Sequence, residues 1–142
     1  MSVSILIVDD EPDVAGLFRQ HFRHEIRQGL YVLHFAYSAE EALRMLADGI
    51  RPELIVILSD INMPGMDGLT LLSEIKKGWP ELPVMMVTAY GDEERRRRAR
   101  EDGAAEFITK PVDFNFLKQQ LQQFAIAGLS ESEKSVGCST WR

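Results

Sequence analysis

Three aspartates, a threonine and a lysine carry the chemistry that this sequence offers. They are Asp9 and Asp10, Asp60, Thr88 and Lys110, and each follows or closes a short apolar run. Asp60 ends the stretch Leu54-Ile-Val-Ile-Leu-Ser, the pattern of a strand buried on both faces of a parallel sheet. Taken singly, each residue is ordinary. An acid pair ahead of a helix suits the positive end of its dipole, a threonine can close a strand, and a lysine is usually a surface residue. Taken together they stand at the carboxyl ends of successive strands, the edge at which open α/β sheets bind ligands.

If strands one and three are neighbours, about 4.8 Å apart, their three carboxylates converge within roughly 6 Å. At an effective dielectric near 20, each pair then repels by roughly 3 kcal/mol. A divalent cation relieves that repulsion, and an all-oxygen ligand set favours a hard ion, Mg²⁺ first and Mn²⁺ second. An ammonium from Lys110 and a hydroxyl from Thr88, facing a metal-bound carboxylate, form a trap for a tetrahedral anion attached to it. Phosphoryl transfer needs such positioning and charge neutralisation more than covalent chemistry from the protein. On this reading Asp60 is the nucleophile.

The elements that must position these groups alternate along the chain. Val3 to Val8 reads as a strand ending at Asp9-Asp10-Glu11-Pro12. Pro12 suits a first helical turn, and Val14, Leu17, Phe18 and Phe22 recur at helical spacing, predicting one helix to about Gln28 with Gly29 as its stop. Residues 31–36 form the second strand. Ser38 and Glu41 make a capping box for a second helix that Gly49 ends. After the third strand, Met63-Pro64-Gly65 turns the chain, and Asp67 caps a third helix running to about Gly78. Residues 83–88 are strand four, 92–102 helix four, 104–109 strand five, and Phe114, Leu117, Leu121 and Phe124 mark helix five. Five strands alternating with five helices predict an α/β fold, a doubly wound parallel sheet with right-handed crossovers. The domain is expected to span 1–127, with 128–142 a polar tail or the start of a linker.

Composition narrows the classes. The 142 residues are 45% hydrophobic and 27% charged, ordinary for a globular domain, and long enough for a sizeable core. A formal net charge of −6 argues against direct nucleic-acid binding by the domain as a whole. No apolar run is long enough for a membrane span, and no basic leader precedes the first strand, so a cytoplasmic location is expected. The single cysteine, Cys138, lies in the polar tail and can form neither an internal disulfide nor a metal site alone.

These motifs, Asp9-Asp10, the loop Asp60-Ile-Asn-Met-Pro-Gly-Met-Asp-Gly68, Thr88-Ala89-Tyr90-Gly91 and Lys110-Pro111, resemble those of the receiver domains of two-component response regulators. The similarity covers about residues 3 to 125. It implies a flavodoxin-like sheet of order 2-1-3-4-5, and that order rests as much on the resemblance as on the alternation of elements. It also implies that Asp60 accepts a phosphoryl group from a sensor histidine kinase or a phosphotransfer protein. Asp10, Asp60 and the backbone carbonyl of Asn62 would bind Mg²⁺, with Asp9 acting mainly through water. Thr88 and Ala89 would meet the phosphoryl group beside Lys110, Phe107 would report its presence, and Asn62 and Tyr90 would tune its hydrolysis. The Lys110–Pro111 bond is expected to be cis. The face made by the helix over 92–102, strand five and the last helix would then change its affinity for a downstream partner or output domain, or for a second copy of the chain.

Two other readings compete. A haloacid-dehalogenase-type phosphohydrolase would want an acid two residues after the nucleophile, where this chain has Asn62, which cannot supply the proton. A docking module with vestigial phosphorylation would not need the complete acid set. The arginine-rich segment Glu93-Glu-Arg-Arg-Arg-Arg-Ala-Arg100 reads as a solvated helix, with i,i+4 pairs Glu93–Arg97 and Glu94–Arg98. No effector domain fits beyond Ala125, so the expected protein is either a stand-alone receiver or part of a longer chain.

Overall fold

The apolar runs become five parallel strands in a computed structural model that describes residues 3–89 and 92–133, with side chains described to residue 124. The strands are β1 (Val3–Val8), β2 (Tyr31–Ala36), β3 (Leu54–Asp60), β4 (Val84–Thr88) and β5 (Glu106–Thr109). The helices are α1 (Pro12–His21), α2 (Arg23–Arg27), α3 (Ala39–Asp48), α4 (Gly68–Gly78), α5 (Glu93–Glu101) and α6 (Phe114–Glu133). The sheet order is β2-β1-β3-β4-β5, the doubly wound order expected.

Strand periodicity divides the core in two. Leu6, Val8, Ile57 and Met86 face α3, α4 and α5, where Ala42, Leu46, Leu72, Ile75 and Ala99 are buried. Ile5, Ile7, Leu58 and Met85 face the other way, against Phe18, Phe22, Leu117 and Leu121. Both faces of the central strands are thus covered, which is why β1, β3 and β4 are almost unbroken hydrophobic runs.

Two expectations are corrected in detail. Among the described residues helices number six rather than five, because the predicted first helix bends at Phe22, whose backbone sits at φ −103°, ψ 16°. The i→i−4 bonds Phe22 N–H to Phe18 O and Ile26 N–H to Phe22 O continue through the bend, so α1 and α2 are one helical run interrupted where the buried Phe22 ring seats against Phe18 and Tyr31. Leu17, placed on the core stripe by spacing, is 49% exposed. The last helix runs through Glu133. The remainder of the expected tail, 134–142, lies outside the described residues, as do Tyr90 and Gly91.

The caps that aim the chain at the site are formed. The Ser38 hydroxyl accepts from Glu41 N–H at 3.0 Å, while the Glu41 carboxylate accepts from Tyr37 N–H at 2.7 Å, one residue earlier than a strict capping box requires. Asp67 accepts from Thr70 N–H at 3.0 Å and starts α4. Gly103, which follows α5, takes φ +100°, a conformation that favours glycine.

Candidate functional site

Sheet register puts the acids together. Val8 of β1 is aligned with Ser59 of β3, so Asp9 and Asp10 leave the sheet beside Asp60. One oxygen from each of these carboxylates lies within 4.8 Å of the others. Asp9 is 8% exposed and Asp60 4% exposed, so at least two of the three acids are largely removed from water.

Each buried acid is met by a donor. Asp60 Oδ2 accepts from Lys110 Nζ at 2.9 Å, and Asp60 Oδ1 accepts from Asn62 N–H at 3.2 Å. Asp9 Oδ1 accepts from Glu11 N–H at 2.9 Å. That bond does not offset what burial does to Asp9. Burial, with further repulsion from Asp60 and Asp10, pushes its carboxyl up from an ordinary 3.8 to about 6, against the opposing pull of Lys110. For Lys110, burial lowers the affinity for its proton, but the hydrogen bond and charge of Asp60, helped by Asp9 and Glu11, outweigh it, and the net shift is upward. The amine is therefore a fixed cation beside an acid cluster still short of positive charge. Three hard oxygen donors within reach of one another, one of them driven toward its neutral form by burial and, less strongly, by its acidic neighbours, suit a small divalent cation.

Strand β4 brings Thr88 to the same edge, fully buried, with the exposed Ala89 after it. Its hydroxyl makes no hydrogen bond to the acid cluster among the described residues. It accepts instead from Arg96 Nη2 at 3.0 Å, and the same nitrogen donates to Thr109 Oγ1 at 2.8 Å. Phe107 is part-buried on that face of the sheet, its ring 5.6 Å from the Arg96 guanidinium carbon and 5.2 Å from that of Arg100. The Lys110–Pro111 bond is cis, and so is Arg51–Pro52, which sequence did not single out.

Gly68 is a second residue that sequence did not single out. A Cβ there would stand 2.2 Å from the Asp60 carbonyl oxygen and 2.7 Å from Ile61 Cα. With Gly68 N–H donating to Ile61 O at 2.8 Å, this closes the β3–α4 loop onto the acid it carries. The signal was the Asp-Gly pair itself, read only as a helix start. The other expected role for α5 also shifts: Arg97 pairs with Glu94 and Glu101 rather than with Glu93, so the ladder expected from i,i+4 spacing is replaced by one shared guanidinium.

A cavity of about 250 Å³ opens beside Asp9, Asp60 and Lys110 and is floored by Val14, Phe18 and Phe114. A larger cleft, about 640 Å³, lies at the opposite edge of the sheet between Leu46, Trp79, Leu82 and Phe124. Among the described residues its charged lining is Glu53 and Glu81, so the smaller cavity is the one beside the acid cluster and the lysine.

Comparison with known proteins gives this constellation its class. The pattern that defines the response regulator receiver domain matches residues 5–122, and the chain belongs to that family, a signalling domain of two-component systems rather than a classical enzyme. It is 34% identical over 134 residues to the response regulator protein FleR of Pseudomonas aeruginosa, covering 94% of this chain and 27% of FleR. An uncharacterised 14.6 kDa protein of Leptolyngbya boryana is 38% identical over 128 residues, covering 88% of this chain and 92% of that one. Among solved structures, the receiver domain of NtrX from Brucella abortus is 35% identical with a TM-score of 0.72, over 84% of this chain and 96% of that domain. This chain spans about a quarter of FleR. Among the described residues, no helix is long and apolar enough to cross a membrane.

Proposed function

We propose that the chain is a phosphorylation-controlled switch in which Asp60 accepts a phosphoryl group from a phosphohistidine on a sensor kinase or phosphotransfer protein. A carboxylate oxygen of Asp60 attacks the phosphorus, the new O–P bond forms as the P–N bond breaks, and the imidazole leaves with the electron pair. The observation that carries this reading is the 2.9 Å bridge between Lys110 Nζ and a buried Asp60 carboxylate that shares a 4.8 Å cluster with Asp9 and Asp10.

Lys110 neutralises charge on the transferring group and remains paired with the acyl phosphate. Asn62 N–H orients Asp60 from the other side. Asp9, Asp10, Asp60 and the backbone carbonyl of Asn62 would hold Mg²⁺, or Mn²⁺, which supplies further neutralisation of phosphoryl oxygens. Phosphorylation adds about −1.5 to −2 charges at the edge of the sheet. Thr88 and Ala89 answer that charge, Phe107 follows, and the surface formed by α5, β5 and α6 changes its affinity for an output domain, a separate partner or a second copy of the chain. Asn62 and Tyr90 set how readily water reaches the acyl phosphate. The setting is the cytoplasm, where sensor kinases present phosphohistidine.

Incubation with Mg²⁺ and a small phosphodonor, followed by intact mass measurement, tests the reading. The wild-type chain is expected to gain one phosphoryl group and Asp60→Asn none. Equal modification of the two would remove Asp60 from the mechanism.

A further inference from the structure

Arg96 is the one residue of α5 that reaches both the interior of the sheet edge and the part-buried aromatic beside it. Thr88 and Thr109 are register partners on adjacent strands, as are Met86 and Phe107, so all four side chains point to the same face of the sheet. Arg96 Nη2 spans the two hydroxyls, at 3.0 and 2.8 Å, while its guanidinium carbon lies 5.6 Å from the Phe107 centroid. Its Nε is buried and has no hydrogen-bond partner. The arginine is thus half-buried to hold these contacts, with its Nε–H left unsatisfied among the described residues. Ala99 is the sole α5 residue that is buried, so these contacts are a large share of what fastens the helix.

We propose that Arg96 is a positioning residue that latches Thr88 and Phe107 in the unphosphorylated arrangement. The inference rests on reading Asp60 as the phosphoryl acceptor. A hydroxyl can accept and donate at once, so the competition is one of position: threonine is stiff at its one torsion, and carrying Oγ1 toward Asp60 moves it off Arg96 Nη2. While Thr88 accepts from Arg96 it makes no bond to the acid cluster. Turning the hydroxyl to a phosphoryl oxygen breaks the Arg96 bond, and the guanidinium then loses its anchor over Phe107. Release of the latch uncovers the ring and returns a cation to the exposed face of α5. The resting protein therefore binds any phosphoryl group more weakly than it would with Thr88 unengaged, because the competent arrangement must first be populated.

The test is a calorimetric titration of the full 142-residue chain with beryllofluoride in excess Mg²⁺. Arg96→Ala is expected to bind about tenfold tighter than wild type, the size expected from one charged hydrogen bond released from competition. Arg96→Lys, whose ammonium can still reach a hydroxyl, falls between the two. Arg97→Ala, on the same helix but paired only with Glu94 and Glu101, binds as wild type does. In a Thr88→Ala background, Arg96→Ala changes nothing, since the hydroxyl it held is gone. The Thr88→Ala background separates the latch from a merely loosened helix, whose effect on binding would persist without the hydroxyl. Equal or weaker binding by Arg96→Ala, with wild type binding normally, overturns the latch alone. No binding by wild type overturns the acceptor reading and the latch with it.

Discussion

Helices α4 and α5 lie on the same side of the sheet and are of similar length, yet they are attached in different ways. In α4, Gly68, Leu69, Leu71, Leu72 and Ile75 are buried, the Asp67 side chain caps the first turn, and Gly68 presses against the Asp60 carbonyl. In α5, Ala99 alone is buried, Asp92 at the N-cap makes no side-chain bond, and the arginines contact hydroxyls, ring faces or acids of the same helix. The difference teaches which parts are scaffold and which can move. The loop that carries Asp60 is fixed by hydrophobic burial and backbone contact, interactions that do not depend on charge at the site. The flanking helix is fastened largely by polar contacts to residues at the sheet edge, interactions that a new charge can reorganise.

The sharpest way to break that contrast is Gly68→Ala. A methyl group 2.2 Å from a carbonyl oxygen forces the backbone apart, and unfolding in urea is expected to show a loss of about 3 kcal/mol or more. The acid pocket that α4 braces gives the next effect. The Asp9 carboxyl titrates near 6 in the folded chain and near 3.8 when unfolded, so between those values the folded chain holds more protons. Stability from this group is therefore greatest below pH 4 and lost as pH rises to about 6. Asp9→Asn, measured with chelator present, is expected to unfold like wild type near pH 4 and to be more stable by about 1 kcal/mol at pH 7, after allowing for solvent screening.

The caps sharpen the comparison further. Asp67→Ala should cost about 1 kcal/mol because Thr70 N–H loses its acceptor. Asp92→Ala, which removes a charge but no side-chain bond, should cost only about 0.3 kcal/mol. Smallest of all, Arg97→Ala removes two exposed ion pairs and is expected to leave the urea midpoint of unfolding indistinguishable from that of wild type. A loss at Asp92 as large as that at Asp67 would mean that α5 is as firmly capped as α4.

What sequence made legible follows the same division. The buried strands read clearly because solvent is absent from both faces, and the ends of those runs mark Asp9, Asp10, Asp60, Thr88 and Lys110. The bend at Phe22 was hidden, since hydrophobic spacing continues across it and no proline or glycine marks it. The continuation of α6 to Glu133 was hidden too, because its last turns have no apolar stripe. Arg96 was read as one of several solvated arginines. Its partners Thr88 and Thr109 are 8 and 13 positions away in sequence, a distance at which only register between strands brings groups together. Local pattern reports burial well; it says little about which polar neighbour a long side chain selects.

Lys110 follows β5, which has β4 as its sole partner in the sheet. Asp60, by contrast, closes a strand bonded on both sides. The anion is thus rooted in the middle of the ladder, while its counter-cation hangs from the rim. A rim strand has half as many ladder bonds to stretch, so the pair can open by moving the lysine while the aspartate stays still. Displacing the lysine therefore strains the margin of the molecule and spares its centre.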